Sequence, residues 1–210
     1  MAVEGSIMAK PRAIVFDVGR VMFQWQLRAL FEKLISDPAE LDWFLTNVVS
    51  EEWHFQHDRG VPLSDMVPAR MAQFPEQTLR IAAYAARFNE TIPGPVPGTL
   101  GLVEELYEAG VPLFCLTNFG DELFAEFRKT QPIFDRFADI IVSGEEGVAK
   151  PGRKIYDIVE ERSGYRGDAL FFTDDNPDNI AAAIDCGWHG HLFEGAAELR
   201  TELVQHGFLE

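Results

Sequence analysis

Cysteine is scarce in this 210-residue chain, long hydrophobic runs are missing, and basic residues are heavily outnumbered. The two cysteines, Cys115 and Cys186, sit in apolar contexts at a spacing that suits no metal motif. Both are expected to be buried free thiols in a reducing compartment. No run could span a bilayer, and the opening MAVEGSIMAK has no apolar stretch of signal-peptide length, so a cytoplasmic location is expected. Against 34 Asp and Glu stand only 18 Lys and Arg, a net charge of -16. That field repels phosphate backbones and anionic lipid, so no nucleic acid and no membrane is expected as a partner. A small anion in a locally positive site is still allowed. Internal repeats and low-complexity segments are also missing, and the oligomeric state is not legible.

What is present is a set of short apolar runs. AIVFD (13–17), VPLFCLTN (111–118), ADIIVS (138–143), ALFFTDD (169–175) and HGHLF (189–193) lack polar alternation, as suits parallel strands covered on both faces. Helical patterns separate them at 98–110, 121–130, 152–164 and 177–187, and Gly110, Gly164 and Gly187 follow three of these as C-terminal caps. Strand alternating with helix predicts an α/β fold with a parallel sheet. Residues 27–92 break the alternation with helical patterns alone and end at the stiff IPGPVPG (92–98). The expected organisation is a core of residues 1–26 and 93–210 with a helical insertion at 27–92.

Open parallel sheets bind ligands at the carboxyl ends of their strands. Here those ends carry Asp17, then Thr117 and Asn118, then Asp174 and Asp175, and Lys150 lies in the loop after the third core strand. Each alone reads as a turn, a helix cap or a surface residue. Together they form a set suited to phosphoryl transfer. Clustered carboxylates need a cation between them, and hard oxygen ligands suit Mg²⁺. An anionic Asp can attack phosphorus, Lys adds positive charge, and Thr and Asn can donate to phosphate oxygens.

The pieces IVFDVGRV, LTN, AKPGRKIY and FFTDDNPDNI, in this order, resemble the haloacid dehalogenase-like hydrolases. The resemblance implies a Rossmann-like core with an inserted helical cap, an aspartyl-phosphate intermediate and Mg²⁺ dependence. It implies Asp17 as nucleophile, Lys150 as charge organiser in catalysis and substrate binding, and Thr117 with Asn118 as phosphate binders. It implies metal contacts from Asp17, the Gly19 carbonyl, Asp174 and Asp175, with Asp175 the direct ligand of the last two. The expected substrate is a small phosphate ester.

Two positions depart from the family's pattern. Gly152 stands where Asp is frequent after the Lys-Pro pair, and Gly19 stands where most phosphatases of this kind carry a second Asp as general acid and base. A subgroup with glycine at that position, which this chain resembles, includes phosphatases of sugar 1-phosphates such as α-D-glucose 1-phosphate. An anomeric oxygen leaves with less help from an acid. A metal-independent 2-haloacid dehalogenase and a non-catalytic binding relative are the alternatives. The cap segment EEWHFQHDRG (51–60) offers Trp53, His54, His57 and Asp58 either to sugar hydroxyls or to cap packing and a solvated helix end. Trp25 and Gln26, just past Asp17, are candidates to face the crevice, with packing the favoured alternative for Trp25, and His189, His191 and His206 read as structural or surface residues.

Overall fold

In the computed structural model of the chain, residues 10–210 are described; the first nine, and with them most of the opening segment, lie outside these. Five strands form a parallel sheet: β1 (Ala13–Phe16), β4 (Leu113–Thr117), β5 (Asp139–Val142), β6 (Leu170–Asp174) and β7 (His189–Leu192), in the order β5-β4-β1-β6-β7. β1 is central, with Phe16 in register with Cys115 on one side and Thr173 on the other. Side chains alternate across the sheet. Ile14 and Phe16 enter one apolar cluster, Ala13 and Val15 the other, which explains why no polar residue interrupts the run.

The helical insertion leaves and returns through two short antiparallel strands, β2 (Phe23–Gln24) and β3 (Gly94–Pro95). Between them lie α1 (Arg28–Phe31), α2 (Pro38–Asn47), α3 (Glu51–Asp58), α4 (Leu63–Gln73) and α5 (Thr78–Ala86). Asp37 and Ser50 cap α2 and α3 by accepting from Glu40 N at 2.7 Å and Trp53 N at 3.1 Å. Phe44, Ile81 and Tyr84 of the insertion are fully buried and continue the cluster that begins with Phe16 on the sheet. Each such side chain contributes about 1.5–3 kcal/mol by leaving water.

The remaining helices are α6 (Thr99–Glu108), α7 (Asp121–Arg128), α8 (Ser143–Glu146), α9 (Arg153–Ser163), α10 (Pro177–Asp185) and α11 (Ala196–Gln205). Gly110, Gly164 and Gly187 have φ of 74°, 75° and 84°, as C-terminal caps require. Some expectations change. The helical pattern from residue 27 forms only the single turn of α1 before breaking into turns, and the short β2, β3, α8 and α11 go unannounced. Cys115 is buried, but Cys186 is only half-buried; both are free. No helix among the described residues is long and apolar enough to cross a membrane.

Candidate active site

Asp17 follows the last residue of β1, and its N–H donates to Thr173 O of β6 at 3.0 Å. The carboxylate is therefore anchored at the carboxyl edge of the central strand. Lys150 reaches it from the loop before α9: Nζ donates to Asp17 Oδ1 at 2.7 Å, Asp174 Oδ2 at 2.6 Å and Leu116 O at 3.0 Å. All three protons of the ammonium are thus used. Burial works against the Lys150 charge, but Asp17 and Asp174 outweigh it and raise its pKa. Lys150 is an internal cation.

Asn118 does something other than the sequence suggests. Its Nδ2 donates to Lys150 O at 3.0 Å and its Oδ1 accepts from Lys150 N at 2.9 Å. One Nδ2 hydrogen and Oδ1 thus hold the lysine's backbone, and Asn118 also lines a cavity beside Asp17. Thr117 is buried at the end of β4, and its hydroxyl has no hydrogen-bond partner among the described residues. Asp174 is held on several sides: besides Lys150, it accepts from Asn176 N at 2.8 Å and from Asn179 Nδ2 at 3.0 Å. Asn179 is a site residue that the sequence reading missed. Asn176, not the paired acids, caps α10, by accepting from Asp178 N at 2.9 Å. That leaves Asp175, half-buried, without a capping duty.

Asp17, Asp174 and Asp175 each offer an oxygen, all within 4.8 Å of one another. Burial, then Asp174, raises the pKa of Asp175; burial lifts Asp17 to about 7, with Lys150 opposing and Asp174 reinforcing. One lysine does not balance three acids. Hard oxygen donors and this excess negative charge fit a divalent cation such as Mg²⁺.

Asp17 and Asp175 border a cavity of about 410 Å³, with Asp174 buried behind them. Asp17, Gly19, Asn118, Lys150, Asp175 and Asn179 line its core end. Phe23, Trp25, Phe55, Phe88, Ile92 and Phe119 line the rest, with Arg20, Glu51 and Glu52 exposed. Trp25 is thus a wall residue as well as a packing one, stacked on His54 at 4.8 Å, whereas Gln26 is exposed and away from the wall. Trp53, His54, His57 and Asp58 are all buried, so the end of α3 is not a solvated helix end. Trp53 packs on Tyr84, and His54 and Asp58 reach the cavity. His189, His191 and His206 lie apart from it: His189 meets His206 at 4.9 Å, and His191 stacks on Phe171.

The two unusual glycines have different reasons. A Cβ at Gly19 would meet nothing within 4 Å, so the position does not demand glycine. One at Gly152 would lie 2.9 Å from Ala149 O. A third glycine holds the insertion against the sheet. A Cβ at Gly120 would come 1.8 Å from the His57 ring, whose Nδ1 donates to Val61 O at 2.9 Å. Gly120→Ala should therefore force α3 off the core and cost about 1–3 kcal/mol in a denaturant titration; an unchanged midpoint would contradict this packing.

Residues 12–187 match the pattern of the haloacid dehalogenase-like hydrolases. Among curated proteins, a sesquiterpene phosphatase, astK, of Aspergillus oryzae is 28% identical over 189 residues, covering 89% of this chain and 92% of that protein. Among solved structures, the haloacid dehalogenase family enzyme bt-2542 of Bacteroides thetaiotaomicron, as a magnesium complex, superposes with a TM-score of 0.72 at 18% identity, over 94% of this chain and 100% of the other. The L-2-haloacid dehalogenase of Xanthobacter autotrophicus superposes at 0.63 with 19% identity, over 95% of this chain and 84% of its own. With four motifs at the strand ends and a match over most of its length, the chain belongs to the haloacid dehalogenase-like hydrolases.

Proposed function

We propose that this hydrolase is a phosphatase of small phosphate monoesters that works through an aspartyl-phosphate on Asp17 and depends on Mg²⁺. The observation that carries the reading is the Lys150 ammonium, buried between Asp17 and Asp174 beside an open cavity. Lys150 holds Asp17 Oδ1, which leaves Oδ2 uncommitted to protein groups and aims it at phosphorus. Thr117 offers its free hydroxyl to a phosphate oxygen, and Asn118 positions Lys150 through its backbone. Residues 27–92 act as the cap over a core of 1–26 and 93–210. Asp17, Asp175 and the Gly19 carbonyl would hold Mg²⁺, with Asp174 behind them, and the bound ion would neutralise phosphate charge.

A sugar 1-phosphate is the substrate expected from the sequence. The wall favours a second reading, an ester of an apolar alcohol. Aromatic rings surround the space beyond the carboxylates, and the exposed Arg20 and Glu51 are paired with each other at 2.6 Å. The name of the Aspergillus relative agrees with that chemistry. A panel of prenyl monophosphates, glucose 1-phosphate and 2-chloroacids, each with Mg²⁺ and with EDTA, tests both parts. EDTA should silence phosphate release and Mg²⁺ restore it. Prenyl esters should exceed the sugar ester by about tenfold or more in kcat/KM, the equivalent of about 1.4 kcal/mol. Metal-independent chloride release would overturn the phosphatase reading, and a preference for the sugar ester would overturn the apolar one.

A further inference from the structure

Gly19 has no side chain with which to protonate a departing alcohol. The cavity nevertheless holds a carboxyl that the steps above do not use. Asp58, the last residue of α3, shares the cavity with Asp17, Gly19 and Lys150 and is 4% exposed. It stands outside the cluster of three carboxylates suited to a cation. Its Oδ2 lies 3.4 Å from His54 Nε2, one helical turn earlier. Its Oδ1 is buried with no partner at hydrogen-bond geometry among the described residues. An ionised oxygen in that position is costly, whereas a protonated carboxyl has a hydrogen to donate.

The surroundings fix this group in place. Tyr84 Oη is 2.6 Å from His54 Nδ1 and has no other acceptor among the described residues, so it donates, and the neutral imidazole carries its proton on Nε2, towards Asp58. Burial holds His54 neutral, lowering its pKa to about 3. His54 is itself stacked between Trp25 and Phe88, at 4.8 and 5.6 Å. The Asp58 carbonyl accepts from Ser143 Oγ, which in turn accepts from Phe119 N at 3.0 Å. The end of α3 is thereby tied to the core loops that follow β4 and β5, and an acid must be held in this way to act on a bond at Asp17.

We propose that Asp58 is the general acid and base of the reaction, supplied by the helical insertion in place of a carboxylate at position 19. This rests on the phosphatase reading. In the first step Asp17 Oδ2 bonds to phosphorus, the ester P–O bond breaks, and the Asp58 proton goes to the leaving oxygen, releasing an alcohol. In the second, water attacks phosphorus, its proton returns to Asp58, the bond to Asp17 breaks, and phosphate leaves. The net change is ester plus water to alcohol plus phosphate. Burial pushes the Asp58 carboxyl up to about 7, opposed by the Gly120 N–H, reinforced by Asp17 and opposed again by Lys150, so the proton is available near neutrality.

The test compares an alkyl and an aryl phosphate of similar size, in wild type and in Asp58→Asn, by the rate of the first alcohol or phenol released in rapid mixing. An aryl leaving group needs little protonation. The wild type should treat the two esters within about tenfold, and Asp58→Asn should slow the alkyl ester by about 10²–10⁴ while slowing the aryl ester by less than about tenfold. Equal slowing of both esters, or alkyl release within about threefold of wild type, overturns the assignment. The wild type alone is also decisive, because a gap of more than about 10² between the esters means that no acid assists. If the wild type hydrolyses neither ester, the phosphatase reading fails as a whole; if it hydrolyses both and the variant treats them alike, only the role of Asp58 fails.

Discussion

Asp17→Asn leaves a folded protein with no measurable turnover. The amide keeps the shape of the side chain but removes the anion that attacks phosphorus in the proposed mechanism, so the loss should exceed about 10⁴-fold in kcat. The fold should survive because Lys150 retains Asp174 Oδ2 and Leu116 O. Stability moves the other way from activity. Burial raises the Asp17 pKa from 3.8 to about 7, so the folded state favours the protonated acid. The stability this contributes is fully present below 3.8 and is lost as pH rises through about 7. At pH about 8 in EDTA the neutral Asn variant should therefore melt no lower than the wild type. A variant that melts well below it, or that keeps a tenth of the activity, contradicts the assignment.

Lys150→Met should cost both activity and stability. The methionine fills the space but leaves Asp17 and Asp174 buried together without their cation. Removing one partner from a buried ionic cluster costs about 3–5 kcal/mol, because the remaining charges cannot recover their hydration. Turnover should fall by about 10²–10⁴, since Asp17 then holds its proton and its orientation is lost. The stability loss should shrink towards pH 5, where the freed Asp17 takes up a proton in the folded state. Urea unfolding at pH about 8 and about 5 reads this directly. A penalty that does not depend on pH would mean that Lys150 acts through packing alone.

Much of this site lies open to a reader of the chain because strand ends are local. An unbroken apolar run that stops at Asp17, Thr117 or Asp174 carries its own boundary, and the glycines at 110, 164 and 187 mark the helix ends. Contacts made across long separations are not local. Asn118 clamps the backbone of Lys150, 32 residues away, and nothing near Asn118 announces it. Asn179 turns back from the first turn of α10 onto Asp174, a contact set by where Asn176 caps the helix. The two-residue strands β2 and β3 are too short to show a period. The acid in the insertion left a trace that can be read. With Ser50 as N-cap, the pairs Trp53–His57 and His54–Asp58 are each four apart and lie on adjoining parts of one helix face. A buried tryptophan on that face implies that the polar residues beside it are buried too. What the sequence does not show is that this face shares a cavity with Asp17, because that depends on the contact between His57 and Gly120.

The covalent role of Asp17 is the centre of this account. The most direct test is a rapid acid quench of the enzyme during turnover of a phosphate ester with Mg²⁺, followed by mass analysis of the peptide that contains Asp17. A phosphoryl group on that aspartate, formed and lost at rates that match turnover and missing in Asp17→Asn, is the predicted result. Steady phosphate release with Asp17 never modified would contradict it.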